Sequence, residues 1–412
     1  MPLSIAMLSF HTCPLAAEEG KETGGMNVYV LELSTQLAKL GHTIDVFTRS
    51  QDLDNPKIVQ VHDHLRVIHI PAGPEQPVPK KELRQYLPEF VKNVHGFIAK
   101  EKLNYDVLHS HYYLSGLAGI EINQHLSQPL PHLLTFHTLA LMKNLVARTE
   151  SEAENSDRIQ AEFELVKTVD MIIAPSETER EYLHYLYKAE AQKITIIPPG
   201  VDTSLFKPMP KEAAKIHISA DPNHKVILFV GRIEPLKGID ALLYALKIFK
   251  VRNPDSSACL WIVGGDVSQT KTSWSSELKK LEQLRRTLDL ETSVHFVGQK
   301  HQHELPYYYN AADVVVMPSH YESFGMAALE ALACGVPVIT TNVTGISNIL
   351  DDEHTALIST VNNPLLLASQ MEAVLNCDDC DDLESNTLRQ RVKGLDWKLV
   401  AQEITKRYHE LT

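Results

Sequence analysis

The stretch Lys225-Val226-Ile227-Leu228-Phe229-Val230-Gly231-Arg232-Ile233-Glu234-Pro235-Leu236-Lys237-Gly238 carries the reading of the fold. A short apolar run rich in β-branched and aromatic residues predicts a buried strand over 225–231. Gly, Pro and a second Gly then punctuate a loop, after which a helical pattern begins. A strand apolar on both faces needs cover on both, which crossover helices supply.

The same unit recurs along the chain. Residues 4–11, 43–48, 65–70, 106–110, 132–137, 171–175 and 193–197 read as strands, with helix patterns such as Met26–Leu40, Lys81–Ile98 and Arg158–Val169 between them. A second series follows at 225–231, 259–263, 294–297, 314–317 and 336–341. Strands alternating with helices predict parallel sheets covered on both sides, and two series predict two Rossmann-like domains. The fold class is therefore α/β, with a cleft expected between the domains. The boundary falls at the turn-forming Pro198-Pro199-Gly200-Val201-Asp202, followed by a polar stretch. This gives an N-terminal domain over 1–203 and a C-terminal domain over 204–394. A last amphipathic helix over 395–412 is expected to pack back across their junction.

Bulk properties exclude several classes. The 412 residues suit two domains of about 200 each. With 44% hydrophobic and 22% charged residues the chain is globular in composition. A net charge of −13 disfavours broad attraction to nucleic acid, so phosphates must be held by a few placed cations and backbone amides. No segment reaches the roughly 18–20 apolar residues of a membrane span. The first ten residues lack the charged region of a signal peptide and read as a strand. Five scattered cysteines suit a reducing cytoplasm. Cys377 and Cys380 form a CxxC with no second pair, and a zinc site needs four ligands. The acidic run Asp378–Asp382 reads as a solvated loop, and His62/His64 and His301/His303 as surface pairs.

Chemistry concentrates in loops after strands. Gly24-Gly25-Met26-Asn27 opens a helix, where paired glycines admit an anion to free N–H groups. It has the spacing of neither a dinucleotide fingerprint nor a Walker loop. Arg232 and Lys237 stand five residues apart at a strand's carboxyl end, an arrangement able to clamp a diphosphate. The loop Pro318-Ser319-His320-Tyr321-Glu322-Ser323-Phe324-Gly325 leads into a helix that contains Glu330. Amides at Phe324–Met326 can meet a phosphate, and a carboxylate can accept two bonds from vicinal hydroxyls. His109 and His111 alternate at a strand end, and the expectation is that only one of them faces the cleft.

Arg232 and Lys237, followed by Glu322 and Glu330 in a Glu-x7-Glu spacing, resemble glycosyltransferase family 4, of GT-B fold, and the likeness covers nearly the whole chain. That resemblance implies retention at the anomeric carbon without a metal or other cofactor, and a UDP-sugar as co-substrate held mainly by the C-terminal domain. It implies that Arg232 and Lys237 stabilise the leaving diphosphate, that Glu322 holds sugar hydroxyls and that Glu330 holds the ribose. Gly24, Gly25, Ser323, Phe324, Gly325 and Met326 would complete the donor site. Within the family, Gly24–Val30, His109–Gly116 and His137-Thr138-Leu139-Ala140 look like the inositol-phosphate N-acetylglucosaminyltransferases. Sucrose-phosphate synthases are similar through most of these segments and through Arg158-Ile159-x-Ala161-Glu162. They more often carry Gln at the position of Met26 and a Gly-His-Ser type of segment at 136–138.

Both groups act on phosphorylated acceptors, which implies acceptor contacts from Asn27, Lys80, Tyr112, Thr138 and Arg158. Retention by double displacement would need a carboxylate opposite the leaving group. None is assignable, so a same-face dissociative substitution is expected, with His137 positioning the sugar. Three rivals stand beside this reading: a UDP-sugar 2-epimerase-like isomerase, a phosphorylase needing pyridoxal phosphate, and a peripheral enzyme with a lipid acceptor. Glucose and N-acetylglucosamine stay open as donor sugars, UDP, ADP and GDP as nucleotides, and a homodimer as the assembly.

Overall fold

The computed structural model describes residues 1–16, 24–150, 152–268, 270–342, 345–346, 356–359, 362–376 and 383–412. Cys377, Cys380 and the acidic run 378–382 lie outside the described residues. The chain divides into two compact units, Met1–Pro199 with Trp397–Thr412, and Gly200–Asp396.

The first unit contains β1 (Ser4–Leu8), α1 (Gly25–Lys39), β2 (Thr43–Arg49), β3 (Ile58–His62), β4 (Leu65–Ile70), α2 (Leu87–Glu101), β5 (Val107–His111) and α3 (Tyr113–Gln124). It continues with β6 (His132–Thr135), α4 (Ala140–Val146), α5 (Ser156–Thr168), β7 (Met171–Ala174), α6 (Glu177–Tyr185) and β8 (Ile194–Ile196). The second unit contains α7 (Lys211–His217), β9 (Val226–Val230), α8 (Ile239–Arg252), β10 (Cys259–Val263), α9 (Ser276–Thr287), β11 (Val294–Gly298) and α10 (Leu305–Ala311). After these come β12 (Val314–Met317), α11 (Met326–Ala333), β13 (Val338–Thr341), β14 (Ala356–Ser359), α12 (Pro364–Leu375) and α13 (Leu383–Val392). The last helix, α14 (Trp397–Leu411), returns to the first unit and packs on α1.

The first sheet has the order β3-β4-β2-β1-β5-β6-β7-β8, the second β11-β10-β9-β12-β13-β14. All neighbouring pairs are parallel except β3 with β4. In each sheet the chain works outward from a central strand, then returns to that strand's other side. The reversal lies between β1 and β5 in one unit and between β9 and β12 in the other. Such switch points open a crevice at the carboxyl ends of the strands.

Period-2 alternation explains the layers in the second unit. Val226 and Leu228 join one apolar cluster with residues of α10 and α11, while Ile227 and Phe229 join another with residues of α8 and α12.

Several expected boundaries move for local reasons. The first strand stops at Leu8 because the Ser9 hydroxyl donates to the Thr12 carbonyl (2.7 Å) and turns the chain out of the sheet. The helix expected from Lys81 is a tight 3-10 segment over Lys80–Tyr86, and α2 starts only at Leu87. Pro88, in the first turn, would clash with a helix arriving from upstream but suits a helix start. β13 begins at Val338, just after Pro337, which cannot donate to the ladder. β3 and β14 were not expected. β3 is an exposed edge whose Ile-Val-Gln-Val-His lacks a clean buried face.

Candidate functional site

Every candidate residue outside α5, α11 and the 80–86 turn lies at or next to a switch-point loop or the following β6–α4 turn. In the first unit α1 starts at Gly25, and Asn27 braces its approach. The Asn27 amide donates to Thr12 Oγ1 (2.7 Å) and to the Cys13 carbonyl (2.6 Å), while its oxygen accepts from Gly24 N (3.1 Å). Both of its N–H groups are thus engaged within the protein. These bonds brace the loop that leads into α1.

Lys80, Tyr112, Thr138 and Arg158, far apart in sequence, come together. Asn155 caps α5, accepting from Arg158 N (2.9 Å), so the Arg158 side chain lies in the first turn and Glu162 one turn on. Arg158 Nε donates to Glu162 (2.8 Å), Nη2 to the Thr138 carbonyl and hydroxyl (2.8 and 3.0 Å), and Nη1 pairs with Glu154 (2.8 Å). Arg158 and Glu162 are 2% and 0% exposed, so this is an interior network. Glu162 also accepts from Ala140 N (2.9 Å) and the Tyr187 hydroxyl, which ties it to the start of α4. Lys80 and Arg158 both lie over the Tyr112 ring, 4.2 and 4.9 Å from its centroid. Tyr112 itself has φ +77 and donates its N–H to the Thr135 carbonyl (2.8 Å). Burial pushes its hydroxyl well above the usual tyrosine range, against the pull of Arg158, so it stays a neutral phenol. Lys143 pairs with Glu154 beside the network.

His109 and His111 do not alternate, which corrects the expectation that the strand sends them to opposite sides. Residues i and i+2 of a strand share a face. Their rings are 4.3 Å apart, and His111 Nδ1 lies 3.0 Å from His137 Nε2. His109 bonds the Tyr408 hydroxyl (2.7 Å) and Thr135 Oγ1 (3.0 Å). Burial, first of all, lowers His109 and His137 to about 3, and the neighbouring histidines add to it for His109. His137 is half-buried with φ +62, a left-handed position that ends β6 two residues early, and it meets the Tyr29 ring edge-on at 4.9 Å.

In the second unit β9 runs into Gly231 and a 3-10 turn, Pro235–Lys237, before α8. Gly238 has φ +64, and a Cβ there would meet the Pro318 carbonyl oxygen at 2.1 Å, so the loops after β9 and β12 interlock at backbone distance. His320 N donates to the Leu236 carbonyl (2.8 Å) across the same seam. Lys237 forms an ion pair with Glu322, while Arg232 pairs with Glu234 (2.9 Å). Ser323 is half-buried. The Phe324 ring joins the core, leaving its amide, with Gly325 and Met326, at the start of α11. Glu330 is buried, accepting from the Tyr309 hydroxyl (2.6 Å) and the Gln302 amide (3.2 Å). Burial raises its carboxyl to about 7, and the two hydrogen bonds oppose that rise.

Sequence reasoning missed Gly264-Gly265. A Cβ at Gly264 would meet the Gly231 carbonyl oxygen at 1.9 Å, so only glycine lets β10 end against the Arg232 loop. Two glycines directly after an apolar strand were the available signal. Among the described residues no group of three or more His, Cys, Asp or Glu could hold a metal, and no helix is long and apolar enough to cross a membrane.

Known proteins resemble the chain in sequence and fold. The profile described as Glycosyltransferase Family 4 matches residues 23–205, and that described as Glycosyl transferases group 1 matches residues 210–391. The chain is 35% identical over 416 residues to a D-inositol 3-phosphate glycosyltransferase of Kineococcus radiotolerans, covering 98% of this chain and 94% of that one. The sucrose-phosphate synthase of Thermosynechococcus elongatus superposes with TM-score 0.89 at 31% identity over 99% of both chains. Anabaena Alr3699/HepE, in complex with UDP and glucose, shares the fold at TM-score 0.75 and 17% identity, over 99% of this chain and 100% of that one.

Proposed function

Because the chain belongs to glycosyltransferase family 4, we propose that it is a retaining hexosyltransferase moving glucose or N-acetylglucosamine from UDP to a phosphorylated polyol or sugar. Inositol 3-phosphate stands in the name of one relative, and the likeness to sucrose-phosphate synthase suggests fructose 6-phosphate as the other acceptor to try.

The observation that carries this reading is the convergence of Lys80, Tyr112, Thr138 and Arg158. Lys80 and Arg158 lie over the Tyr112 ring, Arg158 also pairs with Glu154 and Glu162, and Lys143 pairs with Glu154, so three cations gather at this one place. A phosphate would take charge-assisted bonds from cations that the Tyr112 ring already orients. On the donor side, Lys237 exchanges Glu322 for the diphosphate. Glu322 then accepts from sugar hydroxyls, and Glu330 with Tyr309 serves the ribose.

In the reaction, the bond between the anomeric carbon and the diphosphate oxygen breaks, its electron pair leaving with UDP. Lys237, Arg232 and the amides at the start of α11 stabilise that charge as it develops. The acceptor oxygen bonds the anomeric carbon on the same face, and its proton passes to the departing phosphate oxygen. Side chains and amides meet the whole charge in this scheme, so no metal ion has a part. His137 positions the sugar.

A matrix of UDP-, ADP- and GDP-sugars against inositol phosphates, sugar phosphates and their dephosphorylated forms, read as nucleoside diphosphate release, tests the reading. Release with UDP-sugars that requires a phosphorylated acceptor is expected. Conversion of the UDP-sugar into an epimeric UDP-sugar without any acceptor would point to an isomerase instead, and equal rates with dephosphorylated acceptors would remove the role of the Lys80–Arg158 cluster.

A further inference from the structure

His111 sits at the end of β5 with its ring fully buried between His109 and His137, centroids 4.3 and 5.2 Å away. Its Nδ1 is 3.0 Å from His137 Nε2, a separation that requires one proton between the two nitrogens. Burial above all, with His109 and His137 beside it, holds His111 neutral, and burial does the same for His137. Each ring therefore carries a single proton, and only two arrangements remain.

In one, His111 Nδ1–H donates to His137 Nε2, and the His137 proton is on Nδ1. In the other, His137 Nε2–H donates to His111 Nδ1, and the His111 proton is on Nε2. The environment of His111 Nε2 separates them: that atom is buried with no hydrogen-bond partner among the described residues. A bare ring nitrogen is tolerated there better than an N–H, since an unmatched buried donor is among the rarest defects of a folded protein. The first arrangement wins.

We infer that His111 is a positioning residue that fixes the tautomer of His137, so that His137 presents an N–H donor at Nδ1 and has no lone pair left to act as a base. The left-handed backbone of His137 and the edge of Tyr29 against its ring hold the imidazole to that single pose. The part about presenting a donor to the sugar rests on the glycosyltransfer reading above; the tautomer itself does not. The consequence for the reaction is specific. With His137 unable to take a proton, the acceptor's proton must go to the leaving diphosphate.

The test uses the full chain labelled with 15N-histidine. Imidazole nitrogen shifts of His137, assigned with a His137→Gln variant, are read at neutral pH without substrate. The expected spectrum shows a protonated Nδ1 and an unprotonated Nε2. His111→Leu removes the donor and should move His137 toward the Nε2–H form that free histidine prefers in water. His111→Asn, whose amide N–H can replace Nδ1–H, should restore the original form. In parallel, His111→Leu should lower kcat at least tenfold with acceptor KM changed less than threefold, and His111→Asn should recover most of it. An Nε2–H form of His137 in the wild-type chain, or an unchanged tautomer in His111→Leu, overturns the assignment. A tautomer that moves while kcat does not overturns the link to the sugar. The wild-type and His111→Asn spectra decide the tautomer even where His111→Leu fails to fold. Absence of transfer with every phosphorylated acceptor would sink the function and leave the tautomer standing.

Discussion

At the switch point of the first unit the loops end in side chains, whereas at that of the second they end in backbone. The first is filled by buried imidazoles, a tyrosine ring and an arginine between two carboxylates. The second is drawn tight by Gly238 and Gly264, each within van der Waals reach of a carbonyl across the seam, with a part-buried Lys237–Glu322 pair above it. A site made of interlocked buried charges shares its energy with folding, because no member leaves without stranding a partner. A site made of backbone can lose a side chain and keep its shape. The two halves should therefore answer to mutation in opposite ways.

Arg158→Leu is the largest expected effect. It strands Glu162, fully buried, beside Glu154, and should cost about 3–5 kcal/mol of stability, read as a lowered midpoint in urea unfolding. A loss under about 1 kcal/mol would break the comparison, because the network would then be a surface pair in all but position. Lys237→Ala comes next and should behave in the reverse manner. Turnover should fall by about 10²–10³-fold, the usual cost of losing a group that meets developing charge. Stability should change by about 1 kcal/mol or less, since the pair is incompletely buried. Near-normal turnover in that variant would remove Lys237 from the leaving group.

Glu330→Gln tests a buried carboxylate in the backbone-built half. The carboxyl rises from 4.5 to about 7 in the fold. Below pH 4.5 it is protonated in both states and carries no penalty. As pH rises from 4.5 to 7 the unfolded chain releases the proton first, so stability falls, and above 7 the full cost is present. That cost is roughly 3–3.5 kcal/mol. The glutamine amide oxygen would keep the Tyr309 bond, and a flipped Gln302 amide could answer the new NH2 group. The variant should therefore unfold at a higher midpoint than wild type at pH 8 and at a similar one at pH 4.5, while donor KM rises. Equal pH dependence of the two proteins would show that Glu330 is ionised at no cost.

The fold was open to reading because its strands are buried on both faces and their loops carry glycine and proline. Even so, the edge strand β3 escaped, its side chains being half or fully exposed with no apolar period to detect. The candidate site divides the same way. Arg232, Lys237, Glu322 and Glu330 announce themselves by spacing along short loops. The convergence of Lys80 with Tyr112, Thr138 and Arg158 depends on four segments meeting, which no local pattern reports. Nor does the sequence report that the turn at Thr12–Cys13 takes both amide donors of Asn27. The engagement of Glu330 by Tyr309 and Gln302 was equally invisible, and with it the shifted proton affinity.

Lys80→Met is the smallest expected effect and the sharpest test of what the first half is for. Lys80 is half-buried, lies on the Tyr112 ring and, with Arg158 and Lys143, offsets the burial that would otherwise raise Glu154. Methionine keeps much of the stem's contact with the ring. Arg158 and Lys143 still hold Glu154. Stability should thus move by about 0.5–1 kcal/mol, the worth of one cation over an aromatic ring. Binding is different, because a phosphate loses a charge-assisted partner, worth about 1.5 kcal/mol or more. Acceptor KM should rise about tenfold or more, with kcat at saturation unchanged and rates toward dephosphorylated acceptors unaffected. A fall in kcat at constant KM would move Lys80 from the acceptor to the reacting centre. It would also make the side-chain-built half, rather than the Lys237 loop, the place where the leaving charge is met.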